Sequence, residues 1–100
     1  IVEYEKLAQR ERDINRYENA IKAYDAIRRH YADNASAVLW ATYETGFCYF
    51  KLGKYAEAEE YFRRIINEYQ DPAAKKLSQD MLARIVEKTS KKKTSKKRKR

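Results

Sequence analysis

The sequence predicts an all-α protein, a right-handed solenoid of stacked helical hairpins with two repeats and a closing helix. Gly46, Gly53 and Pro72 are the only glycines and proline, which leaves little material for the turns of a β-sheet. Helix-favouring Ala, Glu, Lys, Arg, Leu and Ile are common. The third observation is an internal repeat with helical spacing, and it decides the architecture.

The repeat aligns two stretches that lie 55 − 17 = 38 residues apart, YENAIKAYDAIRRHY at 17–31 and YAEAEEYFRRIINEY at 55–69. The matched positions carry small or apolar residues: Tyr17 and Tyr55, Ala20 and Ala58, Tyr24 and Phe62, Ile27 and Ile65, Tyr31 and Tyr69. They recur at steps of 3, 4, 3 and 4, so each copy forms one stripe of an α-helix.

The residues between the repeated segments predict where helices end and begin. Asn15 and Gly53 directly precede the two copies. Because both residue types tolerate the left-handed conformation, we expect each to end one helix and turn into the next. Asp33–Asn34 and Asp71–Pro72 are typical helix starts. Five antiparallel helices follow, at about 2–14, 16–31, 35–52, 54–69 and 72–89.

This repeated hairpin resembles the tetratricopeptide repeat, whose pattern is W-x2-L-G-x2-Y, then A-x3-F, then P. The second unit matches it at Gly46, Tyr49, Ala58 and Phe62, and the first at Tyr4, Leu7, Ala8, Ala20 and Tyr24. Thr42 and Thr45 stand where Trp and Leu are usual. The small residues Ala8, Ala20, Gly46 and Ala58 are expected where helices approach closely.

The resemblance implies a repeat domain at 1–89. Residues 90–100 are of low complexity and highly charged, so we expect a disordered basic tail there. The repeats cover about 1–34 and 39–72, and the closing helix covers 72–89. The repeat has 38 residues where the common form has about 34. This long spacing resembles the repeats of bacterial envelope proteins, which favours the cell envelope or the cytoplasm. Solenoids normally need about three repeats, so we expect a longer array or self-association.

The resemblance implies a concave groove lined by the first helix of each pair. In the second unit this helix presents Trp40, Tyr43, Phe47, Phe50 and Lys51. Gln9 and Arg12 are their counterparts in the first unit, and Met81 and Ile85 in the closing helix. Such an aromatic wall suits a protein or peptide partner, either an amphipathic helix or an extended apolar segment. The alternative is that the stripe is core, with Met81 and Ile85 covering Phe47 and Phe50, or a self-association interface.

Catalytic and cofactor motifs are not found in the sequence. There is no Gly-rich phosphate loop, His-x-x-x-His pair or Ser-centred elbow. His30 follows two arginines at a helix end, where a cation suits the helix dipole, and Cys48 lies in an apolar helix, where Cys usually packs. The single Cys excludes a Cys-based zinc cluster, and no apolar run approaches the ~18 residues of a membrane span. We therefore expect no enzyme, no cofactor, no metal site and no span.

The excess charge of the chain is confined to its last ten residues, KKKTSKKRKR. The formal net charge is +8; residues 1–90 hold 15 acids and 23 − 8 = 15 bases, so the body is neutral. The candidate polyanion-binding residues are Lys91, Lys92, Lys93, Lys96, Lys97, Arg98, Lys99 and Arg100. Such a tail can bind nucleic acid or an anionic lipid surface, act as a nuclear-localisation signal, or solely keep the chain soluble.

Overall fold

The computed structural model describes the backbone of residues 2–98 and the side chains of Lys6 and of residues 8–90. Within residues 2–98 the chain forms four helices: α1 Val2–His30, α2 Ala35–Lys51, α3 Tyr55–Glu68 and α4 Pro72–Arg98. Helix α1 packs on α2, α2 on α3 and α3 on α4, and α4 also reaches α2. The predicted all-α stack of helical hairpins is confirmed, with four helices in place of five.

The predicted turn at Asn15 is wrong, because α1 runs without a break from Val2 to His30. Its 29 residues span about 43 Å. Asn is a weak helix former, but it costs less than Gly inside a helix. The segment 5–16, EKLAQRERDINR, also offers only Leu7, Ala8 and Ile14 for burial. Folding it back would bury little, so the helix continues and Ala8 is exposed, not at a close approach.

The predicted turn at Gly53 is confirmed. Gly53 has φ +79°, in the left-handed region that favours glycine. The N–H of Lys54 donates to the carbonyl of Tyr49 at 2.9 Å, and that of Gly53 donates to Phe50 at 3.0 Å. These two bonds form a Schellman motif, which satisfies the last carbonyls of α2 and reverses the chain into α3.

Two of the predicted helix starts are confirmed as side-chain caps. The Asn34 side chain accepts a hydrogen bond from the backbone N–H of Ala37 at 3.0 Å, and Asp71 does the same for Ala74 at 3.0 Å. Each cap satisfies a backbone donor that the first helical turn leaves without a partner. Pro72 follows directly as the first residue of α4, a position where its missing N–H costs nothing.

The core lies where α2, α3 and α4 meet. Phe62 and Ala58 of α3 are fully buried, and Gly46 of α2 faces them. A Cβ at Gly46 would stand 3.0 Å from two ring carbons of Phe62 and 3.1 Å from Cβ of Tyr61. The absence of a side chain at Gly46 therefore allows α2 and α3 to pack closely, as predicted.

Helix α4 covers this core with Ala74, Ser78, Met81 and Ile85, all buried and spaced by 4, 3 and 4 residues. The apolar residues Leu77 and Val86 of α4 lie outside this stripe and are 41% and 60% exposed. The helix also continues to Arg98, so the backbone of residues 90–98 is helical where we expected a disordered tail. The sequence after Pro72 contains no Gly or Pro, and Lys and Arg favour helix.

We predict that Asn15→Ala raises the free energy of unfolding by about 0.5 kcal/mol, because Ala is the better helix former at an exposed helical position. Gly53→Ala is the matched variant, and it should lower the free energy by about 1 kcal/mol, since a side chain disfavours positive φ. Urea unfolding measures both. A loss of stability in Asn15→Ala as large as that in Gly53→Ala would indicate a turn at Asn15.

We also predict that Gly46→Val lowers the free energy of unfolding by about 1–3 kcal/mol, because the new methyl groups would overlap the buried Phe62 ring. Ala56→Val is the control, since Ala56 is exposed on α3 and Val costs only about 0.6 kcal/mol there through helix propensity. Equal losses in the two variants, measured by urea unfolding, would show that α2 and α3 do not depend on a close approach at Gly46.

Candidate functional site

Four of the five aromatic residues of α2 lie on two adjacent rows of the helix, and the fifth, Tyr49, stacks on Tyr61 of α3. The inner row holds Tyr43 and Phe50, which pack against the core. The Tyr43 ring lies edge-on to the ring of Phe62, with centroids 5.5 Å apart, and Phe50 meets Tyr55 of α3 in the same way at 5.5 Å. These edge-to-face pairs stabilise the hairpin. Tyr43 and Phe50, which we expect on the partner-binding face, pack against the core and stay partly exposed.

Met81 and Ile85 are core residues in the structure. Each is only 4% exposed, and both belong to the cluster around Ala58 and Phe62. Phe47 packs partly against the same cluster. The alternative was that Met81 and Ile85 of α4 cover the aromatic residues of α2. The burial of these two side chains agrees with that alternative. Met81 and Ile85 therefore pack in the core beneath α2, and almost none of their surface is exposed to a partner.

The outer row of α2, which we call the α2 ridge, holds Trp40, Glu44, Phe47 and Lys51. The members recur at steps of 4, 3 and 4, so they lie on one face of the helix. Trp40, Glu44 and Phe47 are partly buried, and Lys51 is exposed. The ammonium group of Lys51 lies 5.5 Å from the centroid of the Phe47 ring, a cation–π distance. The edge of Trp40 meets Tyr43, with centroids 5.9 Å apart.

Glu44 is the ridge member that we did not predict. Its spacing in the sequence places it on the same helix face, about one turn after Trp40 and one turn before Phe47. We overlooked it because a single acid on a helix is usually a solvated residue.

A small depression lies beside the ridge, between α2 and the C-terminal half of α1. It has a volume of about 210 Å³. Its lining residues are Tyr24, Ile27, Ala37, Trp40, Ala41 and Glu44. The surface of the depression is almost entirely apolar, and Glu44 is the charged residue among those that line it. The depression can therefore accept an apolar group next to a negative charge.

Gln9 and Arg12 lie on the exposed N-terminal half of α1. Gln9 donates to the carboxylate of Asp13 at 3.0 Å, and Arg12 donates to the side-chain oxygen of Gln9 at 2.8 Å. Gln9 also lines a groove of about 540 Å³ with Lys51. The structure thus brings Gln9 to the Lys51 end of the ridge, about 16 Å along α2 from Trp40.

An arginine holds α1 against the hairpin and so fixes the far wall of the depression. The Arg28 guanidinium lies 5.3 Å from the centroid of the Tyr61 ring of α3 and donates to the hydroxyl of Thr45 in α2 at 3.3 Å. Asp25 pairs with Arg28 at 3.1 Å, and Tyr49 stacks on Tyr61 with centroids 5.6 Å apart. One side chain therefore connects three helices.

The two threonines that depart from the repeat pattern are compatible with burial. Thr42 is 2% exposed and Thr45 is fully buried. Their hydroxyls donate to the carbonyls of Val38 and Ala41, each at 2.7 Å. This bond to the preceding turn satisfies a hydroxyl that would otherwise be costly in the core.

Burial and the negative charge of Glu44 raise the pKa values of nearby groups. Burial is the main cause that raises the pKa of the Cys48 thiol, and the charge of Glu44 adds to it. The pKa values of Tyr24 and Tyr43 are raised by burial first and by Glu44 second. Cys48 is buried and protonated at neutral pH, the state of a packed side chain and not of a nucleophile. His30 is exposed at the end of α1.

Among the described residues, no three His, Cys, Asp or Glu side chains come together as candidate metal ligands, and no helix there is long and apolar enough to span a membrane. The eight basic side chains of the tail fall outside the residues whose side chains the structure describes. They are Lys91, Lys92, Lys93, Lys96, Lys97, Arg98, Lys99 and Arg100. Their role as a polyanion site stays a prediction.

Comparison with known families gives one match. A family model described as tetratricopeptide repeat matches residues 13–85. Neither the curated proteins nor the solved structures gave a match. The matched span covers well over half of the chain and extends from α1, through the α2–α3 hairpin, to the buried part of α4. The chain therefore belongs to the tetratricopeptide-repeat family.

Proposed function

We propose that this protein is a non-catalytic scaffold that binds a peptide or a partner helix along the α2 ridge. Tetratricopeptide repeats are generally protein–protein interaction modules and typically not enzymes. The observation that carries the proposal is the partial exposure of Trp40 and Phe47 on one face of α2. Aromatic rings that are held rigidly and left partly open are the usual anchors of protein interfaces.

The dimensions of the ridge suit a short helical or extended segment. Trp40 and Lys51 are eleven residues apart, or about 16 Å along the helix, which corresponds to three turns of a partner helix. Trp40 and Phe47 provide apolar contacts near the two ends, with Glu44 between them and Lys51 at the rim. Apolar anchors at this spacing are typical of a helix that lies along a groove.

A second role, binding of a polyanion through the tail, is favoured by the distribution of charge. The body of residues 1–90 is neutral and the last ten residues carry the whole excess of +8. Such a cluster attracts phosphate groups with a strong dependence on salt. No aromatic residue is interleaved in the tail, so it lacks the side chains that stack on single-stranded bases.

We predict that Trp40→Ala and Phe47→Ala each weaken binding at least about tenfold for peptides selected on this protein from a random 12-residue phage library. Surface plasmon resonance measures the dissociation constants. Tyr31→Ala is the control, because Tyr31 is 57% exposed and lies beyond the end of α1. Cooperative thermal unfolding of both variants verifies that they remain folded. Peptides that bind all variants equally would contradict the proposal.

Deletion of residues 91–100 should abolish binding of a fluorescent 20-mer of single-stranded DNA, measured by anisotropy, and leave ridge binding of the selected peptides unchanged. Binding of the DNA to the full chain should fall steeply between 0.05 and 0.2 M salt, since each neutralised phosphate releases a counterion. If the deletion abolishes peptide binding as well, the tail and not the ridge is the binding element.

A further inference from the structure

The depression beside the ridge has features of a site for one side chain. Its volume of about 210 Å³ is below the ~300 Å³ at which small-molecule pockets begin. Tyr24 and Ile27 of α1 form one wall, and Trp40 and Ala41 of α2 form the other. An apolar side chain of a partner would find apolar contacts on both walls.

Glu44 gives this depression a charge that the fold does not use. The described ion pairs join Asp13 with Arg16, Asp25 with Arg28 and Arg29, and Glu59 with Arg63. Among the residues whose side chains are described, no base lies within 4.0 Å of the Glu44 carboxylate. A partner that covers this partly buried acid must supply a positive charge, because an acid desolvated without a counter-charge is costly.

We propose that this depression holds one apolar side chain of the partner and that Glu44 pairs with a Lys or Arg next to it on the same segment. The occupant is therefore a basic amphipathic segment. This inference rests on the proposed function, since it specifies the partner of the same ridge. The apolar walls select the side chain, and the carboxylate selects against acidic segments by repulsion.

The basic tail of the chain itself does not meet both requirements. Residues 91–100 supply positive charge, but KKKTSKKRKR contains no apolar side chain to fill the depression. An apolar segment without a base would fill it and leave Glu44 buried and unpaired. A basic amphipathic partner supplies both an apolar side chain for the depression and a positive charge for the Glu44 carboxylate.

Trp40 is the only tryptophan of the chain and lines the depression, so its fluorescence reports occupation directly. The probes are three 14-residue peptides with Leu at the same i, i+3, i+4 and i+7 positions and with Lys, Gln or Glu elsewhere. At 0.15 M salt, where the Debye length is about 8 Å, the Leu/Lys peptide should shift the Trp40 emission and bind most tightly. The Leu/Glu peptide should bind least tightly.

Glu44→Gln should weaken the Leu/Lys peptide about three- to tenfold and leave the Leu/Gln peptide unchanged. Glu60→Gln is the control, because Glu60 is an exposed acid on α3, and it should leave both affinities unchanged. Equal binding of the Lys and Gln peptides, or equal effects of the two substitutions, would overturn the charge selection while the ridge proposal stands. If none of the three peptides shifts the Trp40 emission while the selected peptides still depend on Trp40 and Phe47, this proposal fails and the ridge proposal stands.

Discussion

The close approach of α2 and α3 at Gly46 is the contact on which the rest of the structure depends. The Phe62 ring occupies the space that a side chain at position 46 would take, and Phe62 is fully buried. Because the ring presses on the backbone of α2, the rotation of that helix about its axis is fixed. The left-handed turn at Gly53 holds the two helices in register at the other end.

The fixed rotation of α2 gives its aromatic residues different neighbours. Tyr43 and Phe50 meet the rings of Phe62 and Tyr55 of α3, whereas Trp40 and Phe47 lie one row further from α3, and all four side chains stay partly exposed. Helix α1, held by Arg28 on the Tyr61 ring, then provides the second wall of the depression beside Trp40. The candidate binding surface is thus a consequence of packing between three helices and does not belong to one helix alone.

The predictions from the sequence are correct where a residue strongly favours one backbone conformation. They are wrong where a residue fits two conformations. Gly53 marks a turn that only glycine adopts readily, and the fold has that turn. Asn15 aligns with it, but Asn also fits a helix, and the residues directly before it, at 9–13, are all polar or charged. In the same way, helical spacing could not separate the rows of Tyr43 and Phe47, which differ by little rotation. Only tertiary packing decides that the ring of Tyr43 is the one that meets Phe62, with centroids 5.5 Å apart.

The central claim is that the α2–α3 hairpin and the buried part of α4 form the stable unit that presents the ridge. Native-state hydrogen exchange tests it most directly, since protected amides report which segments open only by global unfolding. The account predicts the slowest exchange at the amides of α2 and α3 around Gly46 and Phe62, and fast exchange at residues 8–16 of α1. Fast exchange in α2, or protection at residues 8–16 equal to that at Phe62, would contradict it.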